Sequence, residues 1–505
     1  MKPLVAERSA APMTSQIREL LEQARIPIDP RRSLERHELG DAELFRDLMR
    51  DLVLFDHAEQ RWYRWNKLYW VPDLTGDIQE LLPNLLIARY GQEAKVARNR
   101  GDRQLVKRFS RRCQELGRAR RVDNVLKLAS RLHELKLRGD EWAIPPMQLP
   151  VANGIIDLTT GRLREGEPSD RIRVHAPTRY FGLHHPAPLW ERLLHDIFDG
   201  NEELISYFRR LIGYAISGAR TEQILPILYG AGANGKSTII EAIFAVLGPD
   251  LTFHTQPESL QDTGKADGNA ARPFIATLRD RRLVVASESR DGARLNTGLV
   301  KQLTGDHLIA ARDLYAKPVM FKQTYTIFLV TNHRPSLPDG SDEAMWRRMQ
   351  LVPFEQKFVD EPQAPNEHKR ERNLLERLQA EASGILACMV RGALECHANG
   401  LNPPAVVMNS TAEYRADEDV IGQYISERLV VSEGLEVAAG EVYRDYKAWC
   451  DEMGQQLLPA RAFGQRIATR FGASQTRWKG GRNQRVYRGF GLGSAGRVAP
   501  NDRTN

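Results

Sequence analysis

The stretch Ile224-Leu225-Pro226-Ile227-Leu228-Tyr229-Gly230-Ala231-Gly232-Ala233-Asn234-Gly235-Lys236-Ser237-Thr238-Ile239-Ile240 decides the fold. It opens as an apolar run of strand length, closes as the start of an apolar helix, and holds Gly-x-x-x-x-Gly-Lys-Ser between them. Glycines in such a turn let backbone N–H groups face inward around phosphate oxygens at a helix N-terminus. Lys236 is placed to reach the outer phosphates, and the Ser237 hydroxyl to ligate Mg²⁺. A turn that merely starts a helix needs neither the lysine nor the hydroxyl. Gly230, Ala231, Gly232, Ala233, Asn234, Gly235, Lys236, Ser237 and Thr238 are therefore read as a nucleoside-triphosphate site with Mg²⁺, on a parallel sheet flanked by helices.

Two further apolar runs extend that sheet. Arg281 to Glu288 reads as a buried strand ending in a carboxylate, which places Glu288 to act as general base, as a metal ligand, or as both. Thr324 to His333 reads as another strand whose end carries Asn332, an amide suited to holding the attacking water and sensing the γ-phosphate. Trp346-Arg347-Arg348 precedes the apolar Met349 to Phe354. An arginine there can project toward the nucleotide of an adjacent subunit as a finger, and can equally serve as a helix C-terminal dipole partner.

The 505 residues are more than one hydrophobic core usually serves, so about three domains are expected. With 42% hydrophobic and 27% charged residues the composition excludes a disordered, collagen-like or disulfide-scaffold chain. Lys plus Arg is 72 against 65 Asp plus Glu, a net +7 that suits a polyanionic partner. Cys113, Cys388, Cys396 and Cys450 stand far apart, with no ligand spacing for zinc, which fits a reducing compartment and a cytoplasmic protein. No run approaches 18 uninterrupted apolar residues, so no membrane span is expected.

Along the chain, residues 1–45 read as a flexible leader. Arg61 to Trp70 alternates rings with polar groups around an Asn66-Lys67 turn, an aromatic hairpin whose rings either fill a core or stack bases. Between Glu93 and Arg121 eleven basic residues (Lys95, Arg98, Arg100, Arg103, Lys107, Arg108, Arg111, Arg112, Arg118, Arg120, Arg121) face three acids in a helix-favouring composition, either a solvated surface or one that phosphates neutralise. Asn153 to Leu163 reads as two short strands with a turn, and from Leu189 helical periodicity leads to the strand before the loop. Near the C-terminus Val442 to Cys450 and Ala462 to Phe471 read as helices and Arg485 to Phe490 as a strand. From Arg461 to Arg488 there are eight basic residues and no acid, a distribution that favours DNA contact. Arg466, Arg470, Lys479, Arg482 and Arg485 are the DNA-binding candidates of this module.

Taken in order, Gly230 to Ser237, Val284 to Glu288, Lys301-Gln302-Leu303-Thr304-Gly305-Asp306, Thr331-Asn332-His333 and Trp346-Arg347-Arg348 resemble the motifs of superfamily 3 helicases, above all the helicase part of phage and plasmid primases related to the poxvirus primase-helicase. The likeness runs over roughly residues 45 to 490. It implies a multidomain α/β chain: a P-loop, AAA+-like parallel-sheet ATPase core (189–360), a mostly helical helicase-associated N-terminal region (46–188), a helical linker (361–408), a C-terminal winged-helix-like domain (409–492) and a flexible tail (493–505). It further implies Arg348 as the finger, with Arg347 second, and a channel hairpin built from Ile309 to Arg312 and Val319 to Phe321. The hairpin tip carries Asp313 to Lys317, with Tyr315 and Lys317 on DNA. Residues 1–150 carry neither Cys/His ligands nor a paired-carboxylate polymerase site, so priming is expected from a separate primase or polymerase. Ser287 stands where many members have a second acid.

The resulting expectation is an ATP-dependent, ring-forming DNA helicase, a hexamer on single-stranded and forked DNA, acting in phage, plasmid or other mobile-element replication. The alternatives are a P-loop ATPase that loads or remodels replication proteins on DNA, and a non-enzymatic DNA-binding repressor.

Overall fold

Asp29-Pro30 begins the first helix of the computed structural model, which describes residues 29–262, 273–287, 294–311, 319–337, 342–479 and 482–493. The Asp29 carboxylate accepts from the Arg31 N–H and Pro30 fills the first helical position, a start signal that needs no preceding apolar run. Helices Pro30–Glu35 and His37–Met49 follow, burying Leu34, Leu44, Phe45 and Leu48. Residues 30–45 are therefore not part of a flexible leader. Their charged outer face hides an apolar stripe from a reading by composition.

The chain divides into two units, Met1–His185 with Val246–Leu251, and Pro186–Ala245 with Thr252–Asn505. In the first, helices α1 (Asp77–Asn99), α2 (Arg103–Leu116) and α3 (Ala119–Ala129) enclose Leu82, Leu85, Leu86, Tyr90, Phe109, Leu116 and Val125. The fully buried Asp41 carboxylate sits among them and accepts from Arg112 at 2.6 Å, Arg121 at 2.7 Å and the Tyr90 hydroxyl at 2.7 Å. A buried carboxylate is tolerated only when its charge and lone pairs are met in this way. Two of the eleven basic residues between Glu93 and Arg121 are thus internal.

The aromatic hairpin forms as expected. Strands Arg61–Trp65 and Trp70–Pro72 pair antiparallel with Trp65 opposite Trp70, the Asn66 side chain accepts from the Leu68 and Tyr69 N–H groups, and Lys67 takes φ +80° at the turn. Tyr63, Trp70 and Trp142 pack as one buried cluster, so these rings fill a core and are not free to stack bases. Gln148–Val151, Gly154–Asp157 and Arg162–Arg164 make a separate three-stranded antiparallel sheet.

The second unit is built on a five-stranded parallel sheet. Helix α4 (Glu202–Ser217) leads to strand β1 (Leu225–Tyr229), and helix α5 starts at Lys236 (Lys236–Leu251). Strands β2 (Thr252–Thr255), β3 (Leu283–Ser287), β4 (Thr326–Thr331) and β5 (Met349–Pro353) follow. Their spatial order is β5-β1-β4-β3-β2, all parallel, so the first strand lies inside the sheet between the last and the fourth. Every residue of β4 is buried, as a strand covered on both faces requires. Helix α6 (Ala382–Asn399) lies against α4 where two glycines meet backbone: a Cβ on Gly213 would stand 2.1 Å from the Ala393 nitrogen, and one on Gly392 2.0 Å from the Arg209 carbonyl oxygen.

Leu308–Ala311 and Val319–Lys322 pair as an antiparallel hairpin with Ile309 opposite Phe321. The expected tip, Asp313 to Lys317 including Tyr315, lies outside the described residues. The C-terminal module runs helix Val420–Arg428, strand Leu429–Ala438, helices Ala439–Met453 and Ala460–Phe471, and strands Gln475–Lys479 and Arg482–Leu492. Its three strands form an antiparallel sheet with Arg482–Leu492 in the centre, over a core of Tyr424, Tyr446, Trp449, Phe463, Ile467 and Phe490.

Candidate functional site

In an open parallel sheet the crevice beyond the strand C-termini, where the chain changes direction across the sheet, is the place for a ligand. Here that crevice lies beyond β1 and β4, and the loop Gly230 to Gly235 fills it. Gly232 (φ +96°), Ala233 (φ +50°) and Gly235 (φ +84°) all take left-handed backbone, which curls the loop before α5 begins. The loop is pinned on its outer side. The Phe354 N–H donates to the Tyr229 carbonyl at 2.7 Å, the Asn234 amide donates to the Phe354 carbonyl at 3.3 Å, and the Phe358 N–H donates to the Ala233 carbonyl at 2.7 Å.

Lys236 is 4% exposed at the first turn of α5. Its ammonium has three protons to donate and gives them to the Gly230 carbonyl at 2.6 Å, Asn234 Oδ1 at 3.0 Å and Asn332 Oδ1 at 3.0 Å. Burial lowers its pKa to about 8, because the charged form loses hydration that three neutral acceptors only partly replace. The lysine thus joins the loop to the end of β4, bringing together two residues 96 positions apart in sequence.

A cavity of about 610 Å³ opens beside this lysine. Gly232 to Thr238, Glu241, His254, Ser287, Thr331 and Asn332 line its polar side, while Leu193, Phe358, Leu374 and Leu375 form an apolar wall. Ser287, the last residue of β3, reaches the cavity; Glu288 lies outside the described residues. Gly230 and Ala231 do not line this space but border a second cavity, which shares Gly232 and Asn234 with the first.

Two cavity residues had no signal in the sequence. Arg370 and Glu371 follow the short parallel pair Lys357–Val359 and Glu367–Lys369, whose composition is not that of a buried strand. Arg370 donates to the Phe358 carbonyl at 3.2 Å, and Glu371 accepts from Arg192 at 2.7 Å.

The two arginines at the end of Glu343–Trp346 separate. Arg348 is 9% exposed, and its guanidinium donates to the Ala344 carbonyl at 2.5 Å, Gln223 Oε1 at 2.5 Å and Thr304 Oγ1 at 3.2 Å. The Arg348 side chain is thus committed within its own chain, which does not suit the finger expected of it. Arg347 is exposed.

Among the C-terminal candidates, Arg485 is exposed, Arg466 is half-buried, and Arg470 is paired with Asp419. Lys479 and Arg482 are opposite backbone positions in the register of the antiparallel pair. Lys317 and Tyr315 lie outside the described residues. The four cysteines are all unpaired.

Residues 42–199 match the family model described as D5 N terminal like, and residues 416–490 match Poxvirus D5 protein-like. In both regions the chain is similar to D5-like proteins of the primase-helicase kind. Between those regions of the D5-like chain, residues 228–348 match a family of unknown function, DUF5906, which takes in the loop, β3, β4 and both arginines. A protein of Acanthamoeba polyphaga mimivirus, named as a helicase, is 27% identical over 59% of this chain and 32% of its own length. A Frog virus 3 protein, also named as a helicase, is 24% identical over 68% of this chain and 43% of its own. The D5-like chain therefore spans a third to under a half of the length of these curated relatives. The apo structure of the NrS-1 C-terminal region aligns over 90% of this chain and 99% of that one, at 11% identity with a TM-score of 0.46. No helix among the described residues is long and apolar enough to cross a membrane.

Proposed function

We propose that this D5-like protein is an ATP- and Mg²⁺-dependent DNA helicase of viral or other mobile-element replication, working as a ring of identical subunits on single-stranded and forked DNA. The observation that carries the reading is the Lys236 ammonium, buried and turned onto Gly230, Asn234 and Asn332 beside a 610 Å³ cavity at the C-terminal edge of a parallel sheet. Those three acceptors are neutral, so a γ-phosphate replaces them with a charged partner and frees Asn332 to position water. The apolar wall of Leu193, Phe358, Leu374 and Leu375 suits a purine base. Ser237, lining the cavity next to Lys236, would hold Mg²⁺ through its hydroxyl, with Glu288 as the acid, and the bound metal would supply charge neutralisation for the phosphates.

In this reading β5-β1-β4-β3-β2 is a P-loop, AAA+-like core, and Arg347 reaches the neighbouring subunit's nucleotide. The paired strands Leu308–Ala311 and Val319–Lys322 are the channel hairpin of this reading, and Tyr315 and Lys317, outside the described residues, remain its DNA-contact candidates from the sequence. The helix, strand, helix, helix, strand, strand order of the C-terminal module supports a winged-helix domain, with Arg466, Arg470, Lys479, Arg482 and Arg485 toward DNA. The names of the viral relatives agree with this assignment.

DNA-stimulated ATP hydrolysis with separation of a forked duplex is the test. Lys236→Ala should lower turnover at least about 100-fold, the scale of losing one preorganised donor to the transition state. Hydrolysis without strand separation would leave instead an ATPase that loads or remodels proteins on DNA. No Lys236-dependent turnover at all would leave a DNA-binding repressor.

A further inference from the structure

The exposed face of α2 has no part in the reading above, and its charge is unusual. Arg103, Lys107 and Arg111 recur at four-residue steps on one side with Arg108 beside them, all exposed, while Phe109, Arg112 and Leu116 occupy the buried side. The end of α1 and the turn after it add exposed Lys95, Arg98 and Arg100, and exposed Arg118 and Arg120 follow the far end of α2. The helix is 14 residues long, so the stripe runs about 20 Å.

Of the acids of the same segment, only Glu115 meets a cation of the stripe, Arg111. Glu93 is paired with Arg89, Asp102 caps α2 by accepting from the Leu105 N–H, and Glu115 is shared among Arg111, Arg112 and Arg121. Arg103, Lys107 and Arg108 have no carboxylate partner among the described residues. Exposed cations at this density repel one another, and a continuous polyanion relieves that repulsion by neutralising them along its length. Hydrophobic residues on the outward side are too few for a lipid surface: Val96, at 39% exposure, is the one large exposed aliphatic side chain between Glu93 and Arg121. Seven of the nine outward cations are arginines, the side chain whose planar fork matches phosphate.

We propose that this face of α2, with the turn before it, is a binding surface for the phosphodiester backbone of nucleic acid, separate from the hairpin and from the C-terminal module. Its length matches on the order of six phosphates of one strand at about 3.4 Å each. Recognition is by backbone charge, so it is indifferent to base sequence. It uses no nucleotide and stands whether or not Lys236 supports hydrolysis.

The test is fluorescence anisotropy of a labelled single-stranded oligonucleotide with the full chain, free of nucleotide, titrated across NaCl concentration. Arg103→Ala/Lys107→Ala/Arg108→Ala keeps helix propensity while removing three cations. It should lower affinity at least about 10-fold near 0.1 M salt and flatten the slope of log K against log[salt] by about 2, at about 0.7 for each phosphate no longer neutralised. Arg50→Ala/Lys136→Ala/Arg162→Ala, which removes equal charge from exposed positions elsewhere in the same unit, should change neither by a comparable amount. Acetylation footprinting of Lys95 and Lys107 in the wild type reads the surface directly, and saturating oligonucleotide should slow both several-fold. Unprotected lysines, or a triple variant that behaves as the control does, would overturn the proposal. So would polyglutamate binding as tightly as the oligonucleotide and being lost in the same variant, which would assign the face to an acidic protein.

Discussion

Lys236 carries a pH dependence of defined sign. Its folded-state pKa of about 8 lies below the 10.5 of an ordinary lysine, so the folded protein releases this proton before the unfolded chain does. The burial penalty is fully present below pH 8 and is relieved as pH rises from 8 toward 10.5; over that window this group makes stability rise. Nucleotide binding runs the other way. A bound polyphosphate raises the lysine pKa, so affinity should fall as pH rises past 8, and binding near pH 8.5 should take up protons. Isothermal calorimetry in two buffers of different ionisation enthalpy measures that uptake, and Lys236→Arg, which does not titrate, should remove it. The lysine was legible in the sequence from its motif. Its three acceptors were not, because Asn332 reaches it only through the pairing of β1 with β4. Arg347 and Arg348 make the same point, since two adjacent identical residues cannot be told apart by pattern. Arg348→Ala removes a buried guanidinium from three acceptors and should cost about 2–4 kcal/mol, lowering Tm. Arg347→Ala should leave Tm unchanged and lower ATP turnover.

At the scale of elements, four of the five parallel strands were readable as apolar runs and the aromatic hairpin from alternation around a turn, whereas the edge strand β2, Thr252-Phe253-His254-Thr255, has no apolar run to show it. The helices were harder where burial rests on close approach and not on periodicity. Gly213 and Gly392 are ordinary helix-interior glycines in sequence, and only the approach of α4 to α6 makes each of them necessary. Gly213→Ala should raise helix propensity by about 1 kcal/mol and yet destabilise the protein net. The new methyl would sit 2.1 Å from backbone that cannot rotate aside, and overpacking of that kind costs about 1–3 kcal/mol or more. Chemical denaturation of the variant decides the sign. The helices Pro30–Glu35 and His37–Met49 escaped notice for a different reason: their buried Asp41 reads as a surface acid until Arg112 and Arg121 are seen to meet it.

For the whole molecule, the ring reading predicts sharing of active sites between subunits. Lys236→Ala subunits keep Arg347, and Arg347→Ala subunits keep the loop, so a mixture of the two should regain ATPase activity that neither shows alone. An interface built from one good half of each is intact. Turnover measured across mixing ratios should peak near equal parts and vanish at both ends; a flat profile would place both residues' actions within one subunit. What the sequence determined by itself was whatever rests on neighbours along the chain: the strand, loop and helix around Lys236, the apolar runs of the sheet, the hairpin turns, and the surplus of cations. Tertiary structure alone decided which of those cations are free. Arg112, Arg121 and Arg348 are drawn inward because a buried carboxylate or carbonyl without a partner is too costly to leave, while Arg103, Lys107 and Arg347 stay in water. That division is a property of packing between distant segments, and no local pattern of residues encodes it.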